Sequence, residues 1–493
     1  MDNPVMTADV TLPIWLVVLL VLLSVILILD RILIPSVRWY LRRRVNRVID
    51  EINTRLDIEI RPFQLTRRQA LIDQLVFDEK VNEAVLEYAA EHDMPREVVQ
   101  TKVRHYAHEI VPAFNAYLYF RLGYWMAKRI ARLVYRVRVG FYDADGLSQI
   151  DSKATVVFVM NHRSNMDYIL LAFLAAERTA LSYAVGEWAR IWPLQSLIKA
   201  MGAFFVRRNS SNPLYRRVLE RYVHMATQAG VCQAVFLEGG LSKDGSLREP
   251  RLGFLDYMLR GYHSASDRDV VFVPVGVNYD RVIEDRSLLR KLDPEAKKRS
   301  TWFVIKTTCR FAFKNMMLSR RTRWRHFGYA SVNFGKPVSA QQYCKENNVD
   351  FSTLKHDARF EQIQKLADLL MERIRNVIPV LPIALMASVI LAKRDEWKSE
   401  LELMTAALAR IDRLRKQGAP ISVSATAVER VLTDAITLLG ARGMLEMQDG
   451  LLRADPHAYD ILSYYANSIQ HWQNSPLEKH KVHTHDKPHE NRN

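Results

Sequence analysis

Cysteine is scarce in this 493-residue chain. Its three copies, Cys232, Cys309 and Cys344, stand far apart with no C-x-x-C pair. That argues against a disulfide framework or a zinc site and fits a reducing compartment. Other signatures are missing too. No G-x-G-x-x-G, Walker loop or G-x-S-x-G elbow occurs, so dinucleotide-fold, P-loop and serine-hydrolase readings lack their marks. There is no internal repeat and no long low-complexity tract. Acidic residues run short, with 54 Asp+Glu against 70 Lys+Arg and a formal net charge of +16. Such a surface attracts nucleic acid, anionic lipid or phosphorylated small molecules. A basic run, "RRTRWRH" (320–326), adds to that charge, but no recognisable nucleic-acid module accompanies it, and no nucleic-acid partner is expected.

What is present begins with a long apolar run. Val10 to Leu29 ("VTLPIWLVVLLVLLSVILIL") carries no charge, and twenty residues at about 1.5 Å each span a bilayer core. A cleaved signal peptide wants a basic start, a shorter apolar stretch and a small-residue cleavage site. This start has Asp2 and Asp9 and no Ala-x-Ala pattern, so a retained anchor is expected. Arg31, Arg38, Arg42, Arg43, Arg44 and Arg47 follow the run, and no Lys or Arg precedes it. Positive flanks stay inside, which predicts a single-pass protein of the inner (cytoplasmic) membrane with the bulk of the chain cytoplasmic.

Beyond the anchor (1–35), residues 36–150 read as helices, with apolar positions at three- and four-residue steps. The segment "KVRHYAHEIVPAFNAYLYFRLGYWMAKRIARLVYRV" is rich in aromatics and basic residues, and either packs in the core or lies in a membrane interface. From 151 to 345 short β-branched and aromatic runs ("TVVFVM", "AFFVRR", "QAVFLE", "VVFVPVGVNY", "YASVNFG") appear, the first four separated by helical stretches. That alternation predicts an α/β fold with layered helices. Residues 346–474 turn helical again. Within them "VIPVLPIALMASVILA" (377–392) reads as buried or interfacial, too short for a second span. The tail, 475–493, has His480, His483, His485 and His489 among polar residues; metal binding is one reading, a disordered tail the expected one.

The stretch "VFVMNHRSNMDYILL" (157–171) places His162 just after a strand and Asp167 five residues on. On one straight helix the two side chains would point about 140° apart, so only a turn brings them together. If it does, Asp167 fixes one ring nitrogen of His162 and leaves the other more basic. Spacing alone fits equally a capped turn with an ordinary loop histidine. Three later stretches bear on the choice. "GAFFVRR" (202–208) ends in Arg207 and Arg208, whose side chains point to opposite faces while the strand lasts. "FLEGGLSKDG" (236–245) is a glycine-rich turn in which exposed amides, Ser242 and Lys243 either cradle a phosphate or simply turn the chain. "VVFVPVGVNYD" (270–280) holds Pro274 inside an apolar strand, which predicts an edge or a bulge.

Taken in order, N-H-R-S-N-M-D, G-A-F-F-V-R-R, F-L-E-G-G-L-S-K-D-G and V-P-V-G-V-N-Y resemble the four blocks of the glycerolipid acyltransferases. They are most similar to the bacterial glycerol-3-phosphate acyltransferases and their dihydroxyacetone-phosphate relatives, over residues 80–472 including "DILSYYANSIQHW" (460–472). The resemblance implies a mixed sheet flanked by helices. It also implies transfer of a fatty acyl group from acyl-CoA or acyl carrier protein to the sn-1 hydroxyl of glycerol 3-phosphate, forming lysophosphatidate, with membrane lipid as a further partner and no cofactor or metal. His162 would be the general base and Asp167 its orienting carboxylate. Arg208 is the first choice for the acceptor phosphate, followed by Arg163 and Lys243. Glu238 and Gly239 would shape the acceptor pocket, with Ser164 and Ser242 nearby, and Val273 and Pro274 would line an acyl or pantetheine channel. Family members commonly carry Arg where this chain has Leu241, which bears on the acceptor. Lysophosphatidate and dihydroxyacetone phosphate are the alternative acceptors, and a non-catalytic lipid-binding scaffold is the alternative of another class.

Overall fold

The structure is a computed structural model that describes residues 13–14, 62–116, 118–141, 143–175, 180–186, 194–207, 210–292, 326–423 and 427–472. Apart from residues 13–14, the expected span at 10–29 lies outside the described residues, as do its arginine flank, Arg208, residues 320–325 of the basic run and the tail from 475. Among the described residues no helix is long and apolar enough to cross a membrane.

Strands rich in Val and Phe with no polar face, such as "TVVFVM" and "VVFVPVGVNY", sit between two layers. Here β1 (Arg136–Phe141), β2 (Thr155–Met160), β3 (Ser182–Val185), β4 (Ala203–Phe205), β5 (Gln233–Phe236), β6 (Val270–Tyr279), β7 (Tyr329–Phe334) and β8 (Val338–Ser339) form one sheet. Its order is β1-β7-β6-β2-β5-β3-β4, with β8 also beside β6. β2 runs parallel to β5 and β6, and β3 and β4 continue in that sense. β7 is antiparallel to β6 and carries β1 parallel to itself, so the sheet is mixed, as expected. All ten residues of β6 are buried.

Six helices matter for the site: α1 (Tyr124–Val134), α2 (Met166–Ala175), α3 (Pro213–Gln228), α4 (His356–Val377), α5 (Pro382–Ala392) and α6 (Tyr459–Asn467). The alternating side chains of the strands divide the core. Val157, Val159 and Phe272 face a cluster built with α3, α4 and the helices within 68–110. Val156, Met160, Val273, Val275 and Val277 face one built with α1, α2, α5 and α6. Local chemistry starts these helices. Asn212 accepts from the Tyr215 amide ahead of α3, with Pro213 at its first turn, and Pro382 likewise opens α5.

Two elements differ from the sequence reading, and a third position, Pro274, is placed by the pairing of β6. The segment "RVRVGF", read as the end of a helical region, is β1, in which arginines alternate with valines and every residue pairs with β7. The region after 345 also contains a small sheet of β9 (Lys398–Ser399), β10 (Leu445–Gln448) and β11 (Leu451–Ala454). Pro274 is not at an edge, because β6 lies inside the sheet between β2 and β7, but it does sit at a one-residue bulge, where Val273 and Pro274 oppose Gly335, Lys336 and Pro337. Its missing N–H falls where β6 changes neighbour, between Val271–Phe272 paired with β8 and Val275 paired with β7. The Pro274 carbonyl still accepts from the Gly335 amide at 2.8 Å. The apolar stretch at 377–392 is a core helix: Pro382 through Ile390 are buried.

Candidate active site

At the carboxyl end of β2 the chain leaves the sheet at Met160, turns through 161–165 and starts α2 at Met166. Asn161 fastens the turn to β6, donating to the Val277 carbonyl at 2.9 Å and accepting from the Val277 amide at 2.8 Å. Asp167 lies in the first turn of α2, where unpaired amides and the helix dipole favour a carboxylate. Its Oδ2 accepts from the Arg163 amide at 2.7 Å, the Ser164 amide at 3.0 Å and His162 Nδ1 at 2.8 Å. The turn therefore folds the histidine back onto the aspartate, which a continuous helix would not do.

An ionised carboxylate only accepts, so Nδ1 carries the ring proton and Nε2 is left with a lone pair. Nε2 is buried and has no hydrogen-bond partner among the described residues. The imidazole stacks on Phe236 (3.9 Å between centroids, 25° between planes) and meets Tyr168 edge-on. His162 is 1% exposed. Its own backbone is held on both sides: its amide donates to Glu238 Oε1 at 2.7 Å and its carbonyl accepts from the Ser242 amide at 2.9 Å. On the far side of Asp167, the Tyr279 hydroxyl donates to Oδ1. Burial, and then the neighbouring carboxylate, raise the Tyr279 phenol well above its ordinary range, so it remains a donor.

The other predicted residues separate. Arg163 is 2% exposed; Nη1 donates to the Gly245 carbonyl, the guanidinium lies 4.6 Å from the centre of the Tyr464 ring, and Nε and Nη2 have no partner among the described residues. Ser164 Oγ accepts from the Met166 amide at 3.1 Å and donates to Glu284 Oε2 at 2.7 Å. Glu284 also takes the Asn165 amide and side chain, and burial raises its carboxyl. Glu238, after β5, uses its two oxygens on the amides of His162 and Arg248, and burial pushes it up to about 7 against those bonds. Gly239 takes φ +65° and its amide closes onto the Phe236 carbonyl at 3.0 Å. Ser242 Oγ ties its own loop, donating to the Ser246 carbonyl at 2.8 Å and accepting from the Gly245 amide at 3.0 Å. Lys243 is exposed.

Pro274 pairs with Val159, three positions behind His162 and so about 10 Å back along the strands; Val273 is fully buried in the core. The structure does not bring either to the histidine. The strand of "GAFFVRR" ends at Phe205, and Arg207 forks onto Glu109 at 2.9 and 2.6 Å between Tyr106 and Tyr215. Among the described residues no group of three His, Cys, Asp or Glu side chains is placed to hold a metal.

Sequence reasoning passed over Tyr279, Glu284 and Tyr464. Tyr279 closes the fourth motif and Tyr464 lies in "DILSYYANSIQHW", so both stood in view; only their partners were not legible. Glu284 carried no signal beyond its place after Tyr279.

The stretch that carries this geometry matches a known class: residues 142–278 fit the family model described as Acyltransferase. Residues 313–476 fit a second, described as Glycerol-3-phosphate acyltransferase C-terminal region. The glycerol-3-phosphate acyltransferase of Aeromonas hydrophila is 27% identical over 423 residues, covering 83% of this chain and 50% of that protein. The one of Pseudomonas aeruginosa is 28% identical over 442 residues, covering 87% and 51%. Over most of its length the chain is thus similar to glycerol-3-phosphate acyltransferases. It spans about half the length of the curated relatives it matches. A crystal structure of a 1-acyl-sn-glycerophosphate (LPA) acyltransferase, PlsC, from Thermotoga maritima aligns with 62% of this chain and 93% of its own at 16% identity and a TM-score of 0.30.

Proposed function

We propose that this chain transfers a fatty acyl group from a thioester, acyl-CoA or acyl carrier protein, to the sn-1 hydroxyl of glycerol 3-phosphate, giving lysophosphatidate. One observation carries the reading: a buried imidazole whose Nδ1 is fixed by Asp167 and whose Nε2 has no partner among the described residues. In this mechanism His162 Nε2 takes the hydroxyl proton as that oxygen attacks the thioester carbonyl. The tetrahedral adduct collapses, the C–S bond breaks, and the imidazolium returns its proton to the departing sulfur. Asp167 stabilises the imidazolium throughout, and such general-base help is worth about 10²- to 10⁴-fold. No enzyme-bound acyl group is required. The Asp167 and Glu284 bonds of the Ser164 turn leave its hydroxyl engaged in structure rather than poised as a nucleophile.

The phosphate of the acceptor needs a cation. Arg163 is the described residue that fits: Nε and Nη2 form the side-on edge that pairs with two oxygens of a phosphate. Arg208, the first choice from the motif, lies outside the described residues, and Lys243 is exposed. The apolar run at 10–29 and its arginine flank support placement at the cytoplasmic face of the inner membrane, beside the lipid that the product joins. The test is turnover of the full chain in membranes with glycerol 3-phosphate, dihydroxyacetone phosphate and lysophosphatidate offered separately, each with either donor. Preferred turnover of glycerol 3-phosphate supports the reading; preference for another acceptor reassigns it, and no transfer to any of them removes it.

A further inference from the structure

Helix α6, some 300 residues after His162, touches the loops of the site from three directions. Tyr464 lays its ring under the Arg163 guanidinium at 4.6 Å. Asn467 donates to the Asp244 carbonyl at 3.0 Å. Just beyond the helix, Ser468 Oγ accepts from Asn278 at 3.1 Å, and Tyr465 takes the Val282 amide at 3.1 Å while donating to Asp285. Gly245 completes the seat. Its φ is +90°, and a Cβ there would lie 1.8 Å from the Tyr464 carbonyl, so the turn and α6 meet backbone to backbone.

Arg163 is the unusual member. A buried guanidinium normally finds a carboxylate, because an unpaired charge is costly away from water. This one has a carbonyl on Nη1, a ring against its face, and a side-on edge of Nε and Nη2 without a partner among the described residues. The carbonyl and the ring fix the plane and rotation of the guanidinium, so that its bidentate edge is set before any anion arrives.

We infer that Tyr464 is a positioning residue for the acceptor: by holding the Arg163 guanidinium, the C-terminal helix sets the affinity of the site for the phosphate of glycerol 3-phosphate. This rests on the acyl-transfer reading above. It extends that reading by making the C-terminal region a working part of the phosphate site rather than a support for the fold. The hydroxyl of Tyr464 makes only a 3.5 Å contact to the Arg163 carbonyl, so the ring face is what acts.

The experiment measures KM for glycerol 3-phosphate and for the acyl donor, and kcat, in the full chain carrying Tyr464→Phe, Tyr464→Met or Arg163→Lys. Tyr464→Phe keeps the ring and is expected to behave as the parent. Tyr464→Met keeps the volume without a π face, and KM for glycerol 3-phosphate is expected to rise about tenfold with the donor KM unmoved. Arg163→Lys keeps the charge without the fork and is expected to raise the same constant at least as much. A fraction of misfolded Tyr464→Met enzyme would lower the maximal rate without moving KM, so poor folding does not mimic the result. An unchanged glycerol 3-phosphate KM in Tyr464→Met, or equal rises for acceptor and donor, overturns the inference. A parent chain that does not use glycerol 3-phosphate overturns the underlying reading instead.

Discussion

Tyr279, the last residue of β6, donates its hydroxyl to the oxygen of Asp167 that does not face His162. One oxygen of the carboxylate thus works on the turn and the imidazole, and the other is held by the neighbouring strand. The carboxylate cannot rotate away from Nδ1 without breaking a bond at its far side. Removing the hydroxyl with Tyr279→Phe leaves Oδ1 buried and short of a donor, at a cost of about 1–2 kcal/mol. Part of that loss falls on the geometry of the pair. We expect kcat to fall about tenfold with both KM values little changed; steady-state kinetics would show it, and an unaltered kcat would mean that the backbone amides alone hold Asp167.

Ser164 is predicted to be structural. Ser164→Ala loses the bonds to the Met166 amide and to Glu284, which is expected to lower stability by about 1–2 kcal/mol. It should retain substantial acyl transfer, since the proposed direct route forms no acyl-serine. Rapid quench with a labelled donor, followed by mass spectrometry of the peptide spanning 161–165, is the check. An acylated Ser164 would replace direct transfer with a two-step route.

Glu238 makes a pH-dependent contribution. Its carboxyl is pushed up from 4.5 to about 7 by burial, although two amides and the cations of Arg163 and Arg248 pull the other way. Between those values the folded chain keeps a proton that the unfolded chain has lost. Its favourable contribution is therefore complete below about pH 4.5 and is lost as pH rises through about 7. Glu238→Gln cannot titrate, and its amide nitrogen would face one of two backbone N–H donors. Melting curves should show the variant less stable by about 1–3 kcal/mol at pH 5, with the gap narrowing towards pH 8. A gap that widens with pH would contradict the direction assigned to this group.

Gly276 lies where β6 crosses the end of α4. A Cβ there would meet the Val377 backbone at 2.4–2.5 Å, and backbone cannot give as a side chain can. Gly276→Ala is expected to lower the melting temperature, at a cost of about 1–3 kcal/mol. An unchanged melt would show that α4 shifts freely against the sheet.

Strand runs such as "TVVFVM" and "VVFVPVGVNY" and the strand-to-helix turn after Met160 could be read directly, because fully apolar β-branched runs and polar turn residues are local signals. β1 could not, because "RVRVGF" follows a helical pattern without a break and only its pairing with β7 reveals it. Pro274 signalled the bulge but not its place inside the sheet. Proline excludes a ladder donor, but whether a donor is needed depends on which strand lies opposite, and β6 changes partner at that point. His162 and Asp167 were legible through spacing and surroundings. Tyr279, Glu284 and Tyr464 act through contacts 112, 120 and 301 residues away in sequence, and no period or motif encodes those.

Proton transfer from the acceptor hydroxyl to His162, held by Asp167, is the step on which the proposed mechanism depends. Its most direct test is lysophosphatidate formation from glycerol 3-phosphate by membranes containing the full chain or its His162→Ala variant, with melting curves to establish that both are folded. Product is expected from the parent, with a loss of about 10²-fold or more in a variant that remains folded at the assay temperature, even though truncating this buried ring lowers its melting temperature. A folded His162→Ala chain that still forms lysophosphatidate at the parent rate would contradict it.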